Sequence, residues 1–143
     1  GALTKARARG PFTADDLQNV TPAQRALRFE PGGPPHFVAE SLARRVQFKE
    51  HNLTADPVET GFDLIVCRNV VIYFTDAAKA DLYRHFHAAL RPGGVLFVGG
   101  TEVISRPADI GFHPVGISFY QKMAGAKRAD PVAVQRAAQG EHP

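Results

Sequence analysis

The chain has 143 residues, 44% hydrophobic and 22% charged, with a formal charge of +3 at pH 7; a domain of this size hides roughly two-thirds of its unfolded surface and has a real core. A single cysteine, Cys67, rules out an internal disulfide and suggests a reduced, cytoplasmic setting. No run approaches the roughly 18 apolar residues of a membrane span, no signal-peptide pattern is present, and the basic residues lack the long stripe with interleaved aromatics of a nucleic-acid binder.

The first residue is Gly1 rather than Met, so sequence upstream of it, or an altered start, is expected. Ala2 to Arg9 is helix-friendly and is stopped by Pro11. Its cluster Lys5, Arg7 and Arg9 reads as a solvated face, with steering of acidic partners as the alternative. Asp15 to Pro22 predicts a short helix, a turn and a second helix start. Pro31-Gly32-Gly33-Pro34-Pro35 must be a loop. Phe37 to Arg45 fits a short strand at Phe37-Val38 followed by a helical turn, and Val46-Gln47-Phe48 alternates like a half-buried strand.

Phe62 to Cys67 is a nearly continuous apolar run, as in a parallel strand covered on both faces. Thr75 or Asp76 can cap the next helix, whose Leu82, Phe86 and Leu90 form one apolar stripe. Arg91-Pro92-Gly93-Gly94 ends it, and Val95 to Gly100 is a second buried strand, completing a βαβ unit. Phe112 to Met123 reads as an antiparallel hairpin. Beyond it the composition shifts to Ala, Gly, Pro, Gln and charges, so residues 124–143 are expected to be a disordered or weakly helical tail.

The string Phe62-Asp63-Leu64-Ile65-Val66-Cys67-Arg68-Asn69-Val70-Val71-Ile72-Tyr73-Phe74 closely resembles the signature of CheR-type chemotaxis receptor methyltransferases. Val46-Gln47-Phe48 leading into His51-Asn52-Leu53 is similar to the strand and loop before it. Leu90-Arg91-Pro92-Gly93-Gly94-Val95-Leu96-Phe97 and Gly99-Gly100-Thr101-Glu102 resemble the turn before the fifth strand and that strand's Gly-x-x-Glu ending. The resemblance runs from about Ala2 to Met123 and is carried mainly by the Cys-Arg-Asn-Val-x-Ile-Tyr-Phe string.

What the resemblance implies is an α/β fold: an incomplete class I S-adenosylmethionine-dependent methyltransferase domain, Rossmann-like, closed by a C-terminal antiparallel hairpin. Residues 1–123 would be the C-terminal part of that domain. The family's glycine loop and its ribose-binding acid, borne by the first two strands, have no counterpart here, nor has its helical N-terminal domain. In the family's strand order 3-2-1-4-5-7-6, the segment at Val46 would then have no neighbour, and the strand at Leu64 would present a free apolar edge suited to self-association.

The implied activity is methyl transfer from S-adenosylmethionine to glutamate carboxylates on the cytoplasmic helices of chemoreceptors, in the cytoplasm and without membrane insertion. A glutamate carboxylate, with a pKa of about 4.3, is already a nucleophile at neutral pH, so alignment and exclusion of water suffice and no general base is required. By resemblance Asn52 and Leu53 contact the adenine side of the cofactor, against a plainer reading as a turn Asn and a core Leu. Arg68 and Asn69 face cofactor and substrate, Arg68 having the geometry to hold a carboxylate bidentately; the plain alternative is a salt-bridged Arg at a sheet edge. Tyr73 would orient the attacking carboxylate or face the sulfonium, or else be a core aromatic. Asp63 reads as locally paired, Cys67 as packing, and the six histidines show no metal-ligand spacing, so no metal is expected. Two other functions stand beside this one: a non-catalytic remnant serving as an interaction module, and a methyltransferase for another substrate.

Overall fold

A computed structural model describes residues 1–100 and 102–124. They divide into two compact units, the first Gly1–Asn52 and the second beginning at Leu53. The tail expected over residues 124–143 lies, apart from Ala124, outside the described residues.

In the first unit, α1 (Ala2–Arg7), α2 (Pro22–Arg28) and α3 (Glu40–Ala43) are joined by loops. The α2 start is set by chemistry written in the sequence: Thr21 accepts from the Gln24 backbone N–H while the Gln24 side chain accepts from the Thr21 N–H, a capping box with Pro22 behind it. Two antiparallel bridges, Phe12 with His36 and Phe29 with Val38, tie the loops together. Leu17 and His36 are its buried side chains. The basic cluster is not simply solvated, because Arg9 pairs with Glu30 at 2.6 Å and Lys5 stands 5.1 Å from the Phe12 ring centroid.

Two expectations fail in this unit. The short helix predicted after Asp15 is a run of turns, with Leu17 and Gln18 donating three residues back. The segment Val46 to Phe48 forms no strand, and both apolar side chains are exposed. Alternation alone cannot make a strand; it needs a partner strand, and none pairs with this segment among the described residues, the Phe48 carbonyl accepting from the Arg7 side chain at 3.4 Å instead.

The second unit contains β1 (Phe62–Val66), a 3₁₀ turn at Val71–Tyr73, α4 (Asp76–Ala89), β2 (Leu90–Phe97), α5 (Pro107–Ile110), β3 (Phe112–Gly116) and β4 (Phe119–Lys122). The sheet order is β1-β2-β4-β3, with β1 and β2 parallel and the hairpin antiparallel, matching the relative order expected for strands four, five, seven and six. Thr75 caps α4 by accepting from the Ala78 N–H at 3.2 Å. At the other end Lys122 Nζ donates to the carbonyls of His87 and Leu90, both at 2.8 Å, satisfying helix-terminal acceptors with a cation. Leu82, Tyr83, Phe86 and Ala89 of α4 are buried, and the first three join a core that also contains Leu96, Val98, Phe112 and Tyr120.

The sheet is covered on one face. Ile65, Leu96 and Tyr120 are drawn toward α4, whereas Leu64, Val66 and Phe119 on the opposite face are 54%, 59% and 41% exposed. The reading of Phe62 to Cys67 as covered on both faces therefore holds for one face only. β2 also begins earlier than expected: the Arg91-Pro92-Gly93-Gly94 segment is extended and carries the register shift opposite Asp63, with Gly93 at φ +80°.

Candidate functional site

Parallel strands put their carboxyl ends on one side, and that is where open α/β sheets bind ligands. Here those ends are Val66 and Phe97. Cys67 continues the ladder for one residue, its N–H donating to the Phe97 carbonyl at 2.9 Å, and its thiol is buried. The chain then turns outward. Arg68 and Asn69 are exposed, and Asn69 takes a left-handed conformation at φ +59°. The 3₁₀ turn that follows buries Val71 and leaves Tyr73 88% exposed.

Arg68 has no hydrogen bond or ion pair among the described residues. The bridge of the plainer reading, a salt-bridged edge arginine, is not formed among the described residues. Asp63 and Arg91 make the local pair instead, at the opposite end of β1. A guanidinium without a hydrogen-bond or ion-pair partner among the described residues presents a fork whose geometry suits a carboxylate. Its stem lies against Gly99, just past the end of β2, where an added Cβ would stand 3.2 Å from Arg68 Nε.

The loop leaving β2 is held from behind. The Val98 N–H donates to the Ser118 carbonyl at 3.1 Å, Ser118 Oγ to the Glu102 carbonyl at 3.3 Å, and the Ile104 N–H to the Tyr120 hydroxyl at 3.1 Å. Glu102 pairs with Lys79 of α4 at 3.5 Å, with side-chain exposures of only 15% and 26%. Its charge is felt by two buried neighbours. Burial, and then Glu102, push the Cys67 thiol above its ordinary range. Burial, Glu102, Cys67 and Tyr120 push the Tyr83 hydroxyl up to about 12, and that hydroxyl has no partner among the described residues. Both groups stay neutral at physiological pH, so neither is a ready nucleophile or base.

The expected site residues are thus distributed unevenly. Arg68 and Asn69 meet at the carboxyl end of β1, and Tyr73 stands exposed one short turn later. Asn52 ends the first unit and Leu53 begins the second. Leu53 packs on the hydrophobic core and borders a 190 Å³ cleft beside Leu82 and His85, which accords with its plainer reading. A 460 Å³ cleft lined by Asp56, Val58, His85 and Ala88, and a 250 Å³ one lined by Lys79, Tyr83, Val103 and Ile110, also border α4 rather than the Arg68 surface. Gly99 and Glu102 were missed as individual residues, although the Gly-x-x-Glu spacing was the signal that marked them. Among the described residues no three metal-ligating side chains cluster.

The comparisons with known proteins agree on one family. Residues 1–119 match the family described as "CheR methyltransferase, SAM binding domain". A chemotaxis protein methyltransferase of Listeria monocytogenes is 38% identical over 121 residues, covering 85% of this chain and 46% of that protein. The chemotaxis protein methyltransferase of Escherichia coli is 39% identical over 109 residues, 72% of this chain and 38% of its own length. Chemotaxis protein methyltransferase 1 of Pseudomonas aeruginosa is 34% identical over 109 residues, 75% of this chain and 40% of its own length. The chain spans less than half the length of these relatives. With the match over residues 1–119, the chain belongs to the CheR methyltransferase SAM-binding domain family.

Proposed function

We propose that this chain is part of a protein-glutamate O-methyltransferase, taking the methyl group of S-adenosylmethionine to glutamate side chains on the cytoplasmic helices of chemoreceptors. The observation that carries this reading is Arg68, an exposed guanidinium at the carboxyl end of β1 with no hydrogen bond or ion pair among the described residues. The bound cofactor would supply an electrophilic methyl on a sulfonium. The chain's residues have the simpler tasks of holding, orienting and drying. Arg68 pairs with a carboxylate, of the cofactor's methionine portion or of the incoming glutamate. Asn69 offers an amide beside it, Tyr73 an exposed phenol for orienting the attacking oxygen, and Asn52 with Leu53 a surface for the adenine. No proton has to be removed from the nucleophile.

The same reading makes the sheet an incomplete one, lacking the first two strands of the class I methyltransferase fold. Its support is the sheet's one-sided burial, with Leu64 and Val66 more than half exposed on a terminal strand. The free apolar edge and face of β1 would also serve self-association of the isolated chain. A receptor substrate of that kind would be met in the cytoplasm.

The test is Arg68→Ala in the protein as its gene encodes it. A charge-assisted pair contributes about 1.5–3 kcal/mol, so S-adenosylhomocysteine affinity or kcat/KM should fall by roughly 10- to 150-fold. Wild-type values for both would remove Arg68 from the site.

A further inference from the structure

We propose that Gly99 is a positioning residue for Arg68: the bare backbone at the exit of β2 is the seat on which the arginine stem rests. This rests on Arg68 lying in the cofactor and substrate site. A Cβ built on Gly99 would stand 3.2 Å from Arg68 Nε, 3.4 Å from Cγ and 3.8 Å from Cδ. Three consecutive atoms of one side chain therefore lie against the space that a Gly99 Cβ would occupy. Gly99 also sits at φ +89°, a conformation that an L side chain resists. Either feature alone would favour glycine; together they place a residue without a side chain under a long, flexible one.

The seat matters because no described residue holds the arginine by a hydrogen bond or an ion pair. With no ion pair or hydrogen bond among the described residues, the stem is ordered by contact alone. A long side chain that must be immobilised on binding weakens affinity by roughly two- to twelvefold relative to one already in place. Gly99 supplies that order while leaving the donor fork uncovered for a carboxylate. The loop around it is itself fixed, through Val98 to Ser118 and Ile104 to Tyr120, so a Cβ would displace the arginine rather than the backbone.

A double-mutant cycle tests this in the protein as its gene encodes it, with S-adenosylhomocysteine affinity measured by calorimetry. Gly99→Ala should weaken binding about three- to tenfold in the presence of Arg68 and change it less than twofold in an Arg68→Ala background. In the unliganded protein, the Arg68 side-chain Nε–Hε resonance should shift in Gly99→Ala. Equal loss in both backgrounds would show that Gly99 acts through the backbone, and would overturn the inference while leaving Arg68 in the site. An unaltered affinity in Gly99→Ala would overturn it as well. Wild-type affinity in Arg68→Ala would overturn the placement of Arg68, and the role of Gly99 with it. Should Gly99→Ala fail to fold, Gly99→Asn, a residue type more tolerant of positive φ, carries the same cycle.

Discussion

Removing one oxygen from the far side of the sheet should loosen the loop that carries Gly99. Tyr120 is 5% exposed and its hydroxyl accepts from the N–H of Ile104, itself 3% exposed. Tyr120→Phe keeps the ring, its edge contact with Phe112 at 6.5 Å and its pairing with Leu96. What it loses is the acceptor, and the Ile104 N–H is left buried. An orphaned buried donor costs about 1–3 kcal/mol, the full desolvation of that group. Taking about 2 kcal/mol, with a urea dependence of about 1.5 kcal/mol/M, the unfolding midpoint should fall by roughly 1.3 M. Amide exchange at Ile104 should quicken roughly 30-fold, and by more than at the paired amides of β2 if the loss is local. A midpoint within about 0.3 M of the parent, together with unchanged Ile104 exchange, would refute the reasoning. The bond would then be replaceable by water and would not anchor the loop.

Two further outcomes follow from the same unit. His87 packs edge-on against Phe112 with centroids 5.2 Å apart, and burial together with Lys122 holds its pKa below the ordinary 6.5 despite an opposing hydrogen bond at Gly111. The unfolded chain therefore takes up the proton first, so this contribution is complete above pH 6.5 and is lost as pH falls toward the folded value; His87→Gln should flatten that part of a stability–pH curve. Leu64→Lys places a charge on the exposed face of β1, where Leu64 is 54% exposed; sedimentation should show less concentration-dependent association with little change in unfolding midpoint, and undiminished association would clear β1 as the sticky surface.

How much of this was legible depended on whether the deciding interaction was local. The start of α4 was readable because a cap is a contact three residues long, from Thr75 to Ala78. The hairpin and the parallel pair were readable from alternation and from the buried run at Val95 to Val98. The start of β2 was misplaced because Arg91-Pro92-Gly93-Gly94 looks like a helix stop, whereas tertiary pairing with Phe62 draws the segment into the sheet as a bulge. Val46 to Phe48 misled for the opposite reason: its period is right and its partner is absent. At the site, a strand ending in Arg-Asn was visible in the sequence. That Arg68 has no ion pair among the described residues, and lies against a glycine just past the end of another strand, is a fact of packing that no spacing encodes.

The hairpin bears none of the expected site residues, yet it braces the exit of β2, against which the Arg68 stem lies. Ser118 accepts from Val98 and donates to the Glu102 carbonyl, Tyr120 accepts from Ile104, and Lys79 reaches Glu102 from α4, so the exit of β2 is fixed at four points from behind and from the side. The cation in front has no hydrogen bond or ion pair among the described residues. That asymmetry is what a methyl-transfer site with no proton to remove would need: rigid backbone where alignment is decided, and an uncommitted charge where the carboxylate arrives. It also separates two ways of damaging the site. Tyr120→Phe acts by letting the seat move, so its effect on ligand affinity should scale with lost stability, whereas Gly99→Ala acts by moving the arginine on an intact seat. A chain in which both substitutions changed affinity only in proportion to stability would have a fold behind Arg68 but no seat beneath it.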